Sequence, residues 1–224
     1  MFINDYHTHI LPNTDDGAKD IAQCAQMLQM SRDTGVERVF ATPHFMAHRE
    51  SVQSFLQRRQ RAFDSLPANS GVFLGAEVSI ERGLAENNEL PALAVGGKIL
   101  LELPYTPFKD WMVEEIYNIT YTYNLTPVLA HIERYLDWYS PGNISDVLAI
   151  PKAAFQINSE SLQSRRNLKF VLSLIRDDYP VVFGSDAHNT ENRKPNLDIA
   201  YKVLKKKLSN DELSKLITFN LDFI

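Results

Sequence analysis

With 224 residues, 44% of them hydrophobic, the chain has the length of one large domain and the apolar content for a substantial core. A formal net charge of −5 argues against a binder of nucleic-acid backbones, which carries a basic face. One cysteine excludes an internal disulfide framework, and no apolar run reaches the roughly 18 residues a membrane helix needs.

The first element is an expected strand at 2–6, which starts at Phe2-Ile3 with no basic-then-apolar leader, so the cytoplasm is the expected location. A helix follows: Ile21, Cys24, Ala25 and Leu28 fall at i, i+3, i+4 and i+7, and Gly35 supplies a stop. Strands are expected at 37–42, 72–78 and 98–103. Asp110 then stands as the N-cap of a helix with Met112, Ile116, Ile119 and Tyr123 on one face. Further strands are expected at 127–131, 154–158 and 181–185. Runs such as Val128-Leu129-Ala130 and Val181-Val182-Phe183 are apolar throughout, as a parallel sheet covered on both faces requires. Leu197, Tyr201, Leu204 and Leu208 form a last long stripe, and Ser209 with Glu212 forms a capping box for a closing helix. Lys205-Lys206-Lys207 is expected as a solvated helix face. No linker or repeat divides the chain, so residues 1–224 are expected to form one domain. Seven β/α units predict an α/β fold, either a barrel or a nearly closed parallel sheet.

In such folds functional groups gather where strands end and βα loops begin. Five of the six histidines and four carboxylates fall there: His7 and His9, Asp16, His44, Glu77, Glu102, His131, and Asp186 with His188. The sixth strand, ending near Asn158, contributes none. His7 and His9 are two residues apart in an extended segment, so both rings share a face and can share a cation. Asp16 is the ligand candidate of its loop, whereas Asp15 is expected to support or cap. Glu77 and Glu102 sit among apolar neighbours, where a carboxylate must be paired, protonated or metal-bound. The set holds no thiolate, which suits Mn, Fe or Zn, and nine ligands are too many for one or two tetrahedral ions, so two or three cations are expected.

Arg134 and Arg193 lie near His131 and the Asp186/His188 pair; forked donors beside such a site suit an anionic group, most naturally phosphate. His48 is expected outside the set. Cys24 lies on an apolar helix face, and Met30 stands six positions on, where a cysteine-dependent phosphatase needs arginine. Among aromatic residues near strand ends, Phe45, Tyr105, Phe108 and Trp111 are candidates to line a cleft, with core packing expected for at least two.

The ordered segments HTHILPNTDDGAKD, ATPH, GAE, LLELP, LAHIERY and GSDAHNTENRKP resemble those of the PHP (polymerase and histidinol phosphatase) superfamily. More narrowly they resemble its bacterial manganese-dependent protein-tyrosine phosphatases of capsule and exopolysaccharide clusters, the CpsB/CapC/YwqE group. The closing segment ITFNLDFI resembles that group only loosely. The resemblance implies a distorted (β/α)7 barrel, mainly parallel, with three divalent metals at its C-terminal face. It assigns the nine residues above as metal ligands and Arg134 and Arg193 as phosphate contacts. It further implies hydrolysis of phosphotyrosine on a cognate tyrosine autokinase, with no nucleic acid and no membrane span, and it leaves an oligomer open. A histidinol-phosphatase type of small-molecule phosphatase is the rival within the fold, and a non-catalytic metal-binding scaffold is the rival outside it.

Overall fold

Strand and helix alternate along all 224 residues of the computed structural model, and every strand pairing is parallel. The strands are β1 (Asn4–Thr8), β2 (Arg38–Ala41), β3 (His44–Phe45), β4 (Val72–Leu74), β5 (Glu77–Ser79), β6 (Lys98–Glu102), β7 (Thr126–Leu129), β8 (Ala154–Asn158) and β9 (Val181–Gly184). Between them lie α1 (Ile21–Asp33), α2 (Val52–Asp64), α3 (Asp110–Tyr123), α4 (Pro141–Leu148) and α5 (Arg165–Arg176), with α6 (Asp198–Leu204) and α7 (Asn210–Asp222) closing the chain. Five helices start where a side chain accepts from an otherwise orphaned backbone N–H: Asp20, Ser51, Ser140, Ser164 and Ser209.

The order β1-β2-β4 forms one sheet and β3-β5-β6-β7-β8-β9 the other. Two expected strands are therefore each broken in two. The run at 37–42 ends at Ala41 and resumes at His44, because Pro43 between them has no N–H to give. The run at 72–78 breaks at Gly75-Ala76. Single hydrogen bonds, Gly75 N to Ala41 O (2.8 Å) and Glu77 N to Pro43 O (3.1 Å), carry the pairing across both breaks. His44 and Glu77 consequently open the second halves of their strands instead of closing them.

β9 returns to β1 only beyond its own end, through Asp186 N to His7 O (2.7 Å) and His9 N to Ala187 O (2.9 Å). Lower down this seam a side chain replaces the ladder, with Asp5 accepting from the backbone N–H of Ser185 at 2.8 Å. Gly184 is required at the seam: a Cβ there would sit 2.6 Å from the His7 Cβ. The result is a distorted ring of seven parallel runs.

The end of the ring opposite those loops is apolar, filled by Tyr6, Phe40, Leu100, Val128, Ala154 and Val182. Phe223 from the chain terminus joins them, its ring edge-on to Tyr6 at 5.6 Å. The loosely matching closing segment is thus part of the core. Asn220 in α7 accepts from Phe183 N (3.2 Å) and donates to Val181 O (3.0 Å), and its backbone carbonyl accepts from Asn4 and from the Tyr6 hydroxyl.

Three helix expectations are corrected. The buried face of α1 is Cys24, Met27, Leu28 and Ser31, while Ile21 and Ala25 face solvent; the apolar stripe is one position round from the expected one. Asp110 is the first residue of α3, and Lys109 precedes it without a side-chain cap. The stripe from Leu197 to Leu208 spans only the short α6 and an exposed turn holding Lys205, Lys206 and Lys207.

Candidate metal centre

Glu77 is the centre of the cluster. It is almost fully buried, and its two oxygens meet four imidazoles. Oε2 lies 3.2 Å from His7 Nε2, 3.2 Å from His9 Nε2 and 3.0 Å from His44 Nδ1, while Oε1 lies 3.0 Å from His131 Nε2. Around it the remaining candidates close in. Asp16 Oδ1 is 3.4 Å from both His44 Nε2 and His188 Nε2, although its side chain is 64% exposed. Glu102 Oε1 is 3.5 Å from His131 Nε2. Asp186 Oδ1 is 3.6 Å from His7 Nε2, 3.5 Å from His9 Nε2 and 3.5 Å from His188 Nδ1. All nine expected positions meet in one pocket. His48 stays outside, paired with Glu81 at 2.8 Å.

The donor set fits divalent cations. His9, Asp16, His44 and His188 place ligand atoms within 4.8 Å of one another; so do His7, His9 and Glu77, and so do His44, Glu77 and Glu102. The facing Nε2 atoms of His7 and His9 are 3.1 Å apart. His44 Nδ1 and His188 Nε2 are buried and meet only the oxygens of Glu77 and Asp16, without an aligned hydrogen bond to either, an arrangement a cation shared between ring and carboxylate would satisfy. Imidazole with carboxylate and no thiolate is a borderline-to-hard donor set.

A supporting layer sets the rings. Gln156 on β8 accepts through Oε1 from His7 Nδ1 (2.9 Å) and from the backbone N–H of His131 (2.8 Å), leaving His7 Nε2 free to face inward. Its amide nitrogen donates to Asn158 Oδ1 (3.0 Å), and the Asn158 amide donates to Asp186 Oδ2 (3.0 Å). The sixth strand thus lacks ligand types, as expected, yet orients three of the candidates. Asp15 supports the site and caps no helix, that place being held by Asp20: Oδ2 accepts from His9 Nδ1 (2.7 Å) and from His44 N (3.0 Å), and Oδ1 accepts from Gly17 N (2.9 Å) within the loop. His131 and Asp186 hold left-handed backbone, at φ 33° and 52°, which aims both side chains inward at a steric cost.

The electrostatics follow from packing. Burial pulls the His9 ring towards neutrality, but hydrogen bonds to Asp15 and Glu77 outweigh it and take the pKa up to about 9. His131 is also taken up to about 9, against burial, by Glu102 and Glu77. His44 rises to about 11, burial again being outweighed by Asp16 and Glu77. Burial works against ionised Glu77 as well, yet the surrounding histidines hold it well below the usual carboxylate range. Asp186 is held low in the same way by His7, His9 and Arg134.

Arg134 and Arg193 converge on one atom, Asp186 Oδ2; Arg193 Nη2 reaches it at 3.0 Å and Arg134 pairs with it more closely. Both are about one-third exposed, so each has donors free towards the opening. Of the four aromatic candidates, Phe45 is fully buried, Phe108 and Trp111 pack on the core, and Tyr105 alone stands at the mouth. Its hydroxyl is 3.4 Å from both Arg134 Nη1 and His131 Nδ1. Sequence reasoning missed Gln156 and Asn158, since an amide on a strand carries no spacing signal.

The family model described as "Capsular polysaccharide synthesis, CpsB/CapC" matches residues 3–224. Tyrosine-protein phosphatase YwqE from Bacillus subtilis is 29% identical over 232 residues, covering 98% of this chain and 90% of that protein. Tyrosine-protein phosphatase CpsB from Streptococcus pneumoniae is 27% identical over 235 residues, covering 96% and 95%. Among solved structures, a chain from the YwqE and CpsB crystal structures, described as unique metal-dependent tyrosine phosphatases, superposes with a TM-score of 0.75 at 25% identity, covering 96% of this chain and 91% of that one. A β-aspartyl dipeptidase from Fervidobacterium islandicum shares the fold, with a TM-score of 0.56 at 12% identity.

Proposed function

Because the chain belongs to the CpsB/CapC capsular polysaccharide synthesis family, we propose that it is a metal-dependent protein-tyrosine phosphatase acting as one domain over residues 1–224. The substrate we assign is phosphotyrosine on a cytoplasmic segment of a tyrosine autokinase that controls capsule or exopolysaccharide export. One observation carries the reading: two arginines meet at Asp186, on the rim of a nine-residue imidazole–carboxylate pocket. A pocket for cations alone has no use for guanidinium groups, whereas a phosphate monoester needs both. No helix is long and apolar enough to cross a membrane.

His7, His9, Asp16, His44, Glu77, Glu102, His131, Asp186 and His188 would hold two or three divalent cations at the C-terminal face of the ring, manganese being the best match to the family resemblance. When bound, such cations acidify a water towards neutral pH and offset phosphoryl charge. The chain's own groups do the rest. Arg134 and Arg193 bind the phosphoryl oxygens with their outward donors and hold them as charge redistributes. Asp186 keeps both guanidiniums aimed, and Asp15 and Gln156 fix the faces of His9 and His7. Covalent catalysis by cysteine has no place here. Cys24 is buried in α1, and burial pushes its thiol up to about 11.

The deciding experiment strips the protein with a chelator, restores manganese and follows p-nitrophenyl phosphate hydrolysis. Recovery of turnover is expected, with a higher kcat/KM on a phosphotyrosyl peptide than on histidinol phosphate. Inactivity of fully loaded protein would leave the scaffold reading, and preference for histidinol phosphate would transfer the site to a small-molecule substrate.

A further inference from the structure

Two large aromatic side chains remain exposed on this molecule beside the pocket: Tyr105 at 40% and Trp138 at 55%. Exposed tryptophan costs apolar hydration, so its place next to a polar site calls for a use. Tyr105 lies in the loop after β6, just beyond Glu102, and Trp138 ends the 3-10 turn (Ile132–Asp137) that begins after His131 and carries Arg134. Their rings meet edge-on at 6.3 Å. On its other side Tyr105 stacks with His131 (6.0 Å between centroids, 23° between planes) and with Tyr135 (5.4 Å, 19°).

The backbone segments that carry the pair are tied together. Tyr135 donates its hydroxyl to Leu103 O (2.6 Å) and Tyr139 to Pro104 O (3.1 Å), tying the loop of one residue to the turn of the other. Arg166 on α5 braces the end of the same turn through Asp137 and the carbonyl of Leu136. The wall therefore exists before any substrate arrives, and binding against it freezes few side chains.

On the phosphatase reading above, we infer that Tyr105 and Trp138 form the wall that receives the aromatic ring of the substrate, so that this site selects aryl over alkyl phosphate monoesters. A phosphoryl group on Arg134 and Arg193 places its ester oxygen beside the Tyr105 hydroxyl, itself 3.4 Å from Arg134 Nη1. A ring joined directly to that oxygen lies against the two aromatic faces. A serine or threonine ester presents only a short alkyl stem, too small to cover them. The wall thus adds ring recognition to a pocket whose charged groups alone would accept any phosphomonoester.

The test compares the manganese-loaded full chain with Trp138→Ala and Trp138→Phe on a phosphotyrosyl peptide and the matching phosphoseryl peptide. Trp138→Ala is expected to raise KM for the phosphotyrosyl peptide about 5- to 10-fold, the size of a lost aromatic contact, and so to narrow the preference over the phosphoseryl peptide by the same factor. Trp138→Phe is expected to recover most of the loss. A second readout needs no turnover: with Trp111→Phe, Trp138 is the only indole, and phenylphosphonate should alter its emission where methylphosphonate does not. Equal losses on both peptides, or identical responses to the two phosphonates, overturn the wall. A loaded wild type that turns over neither peptide nor p-nitrophenyl phosphate overturns the phosphatase reading instead, and the phosphonate titration still judges the wall.

Discussion

Gln156 Oε1 lies 2.9 Å from Nδ1 of His7 and takes the backbone N–H of His131 at 2.8 Å, so one amide oxygen on an otherwise ligand-free strand orients two imidazoles. With Nδ1 engaged by that amide oxygen, Nε2 of His7 is the ring nitrogen left facing the pocket, where a cation could take it. Replacing Gln156 by leucine removes that instruction and leaves two buried donors unsatisfied. Metal affinity should fall about 10- to 100-fold, the usual consequence of losing such a partner. Competition against a chromogenic chelator measures it, and an unchanged affinity would remove Gln156 from the site's support.

Glu77 carries a different weight, because it faces four imidazoles with no other carboxylate so central. Glu77→Gln keeps its volume and deletes its charge. The variant should retain less than a full complement of metal and lose phosphomonoester turnover by at least about 100-fold, comparable to losing a major electrostatic group. Metal stoichiometry by mass spectrometry, beside the turnover number, separates lost metal from lost chemistry.

Arg134→Ala and Arg193→Ala probe the opposite combination. Each should cost about 100- to 1000-fold in kcat/KM, the scale seen when one preorganised donor to a developing charge is removed. Bound metal should stay at wild-type level in both, since neither arginine is a ligand type. Wild-type turnover in either variant would free that residue from a phosphate role.

Proton competition follows from the raised imidazoles. In metal-free protein His9 and His131 titrate near about 9 and His44 near about 11, so cation binding at neutral pH must expel their protons. Apparent metal affinity should therefore climb steeply from pH 6 to 8, with proton release visible as a buffer-dependent heat in calorimetry. The metal-free fold responds with the opposite sign. A histidine raised in the folded state contributes stability that is complete below about 6.5 and lost as pH rises through about 9. The depressed Glu77 and Asp186 contribute stability above the ordinary carboxylate range and lose it on acidification. Chelator-treated protein should then melt at falling temperature from pH 7 to 10. Metal-loaded protein, whose rings are already neutral, should not follow it.

At the far end of the ring, Asn220 joins α7 to β9 through Val181 O and Phe183 N. Asn220→Ala strands a buried donor and a buried acceptor, which costs about 1–3 kcal/mol for each group left unsatisfied. Urea unfolding should show a loss of a few kcal/mol while metal content and turnover of the folded fraction remain unchanged. A neutral outcome would show that the closing helix is not needed to seal the ring.

By itself, the sequence determined the seven extended runs and the residue types near their ends, though not the helices α2, α4 and α5 between them. Short apolar runs such as Val181-Val182-Phe183 marked the parallel strands. Ser209 and Glu212 marked a helix start. Five histidines and four carboxylates near the ends or breaks of the expected strands marked one pocket, because parallel strands have their corresponding ends on one side. Such signals are local, carried by spacing within a few residues.

What lies across the ring needed the tertiary structure. Only there does Glu77 stand between four imidazoles from three other strands or strand ends, and only there do Arg134 and Arg193 share a single oxygen of Asp186. Gln156 and Asn158 look like ordinary polar strand residues until the pleat turns them inward beneath His7 and Asp186. The breaks at Pro43 and Gly75 and the left-handed turns at His131 and Asp186 aim those side chains by a few ångströms. Periodicity reports which face a residue takes, but through-space distance is set by how the strands close, and coordination and ring recognition both depend on distance.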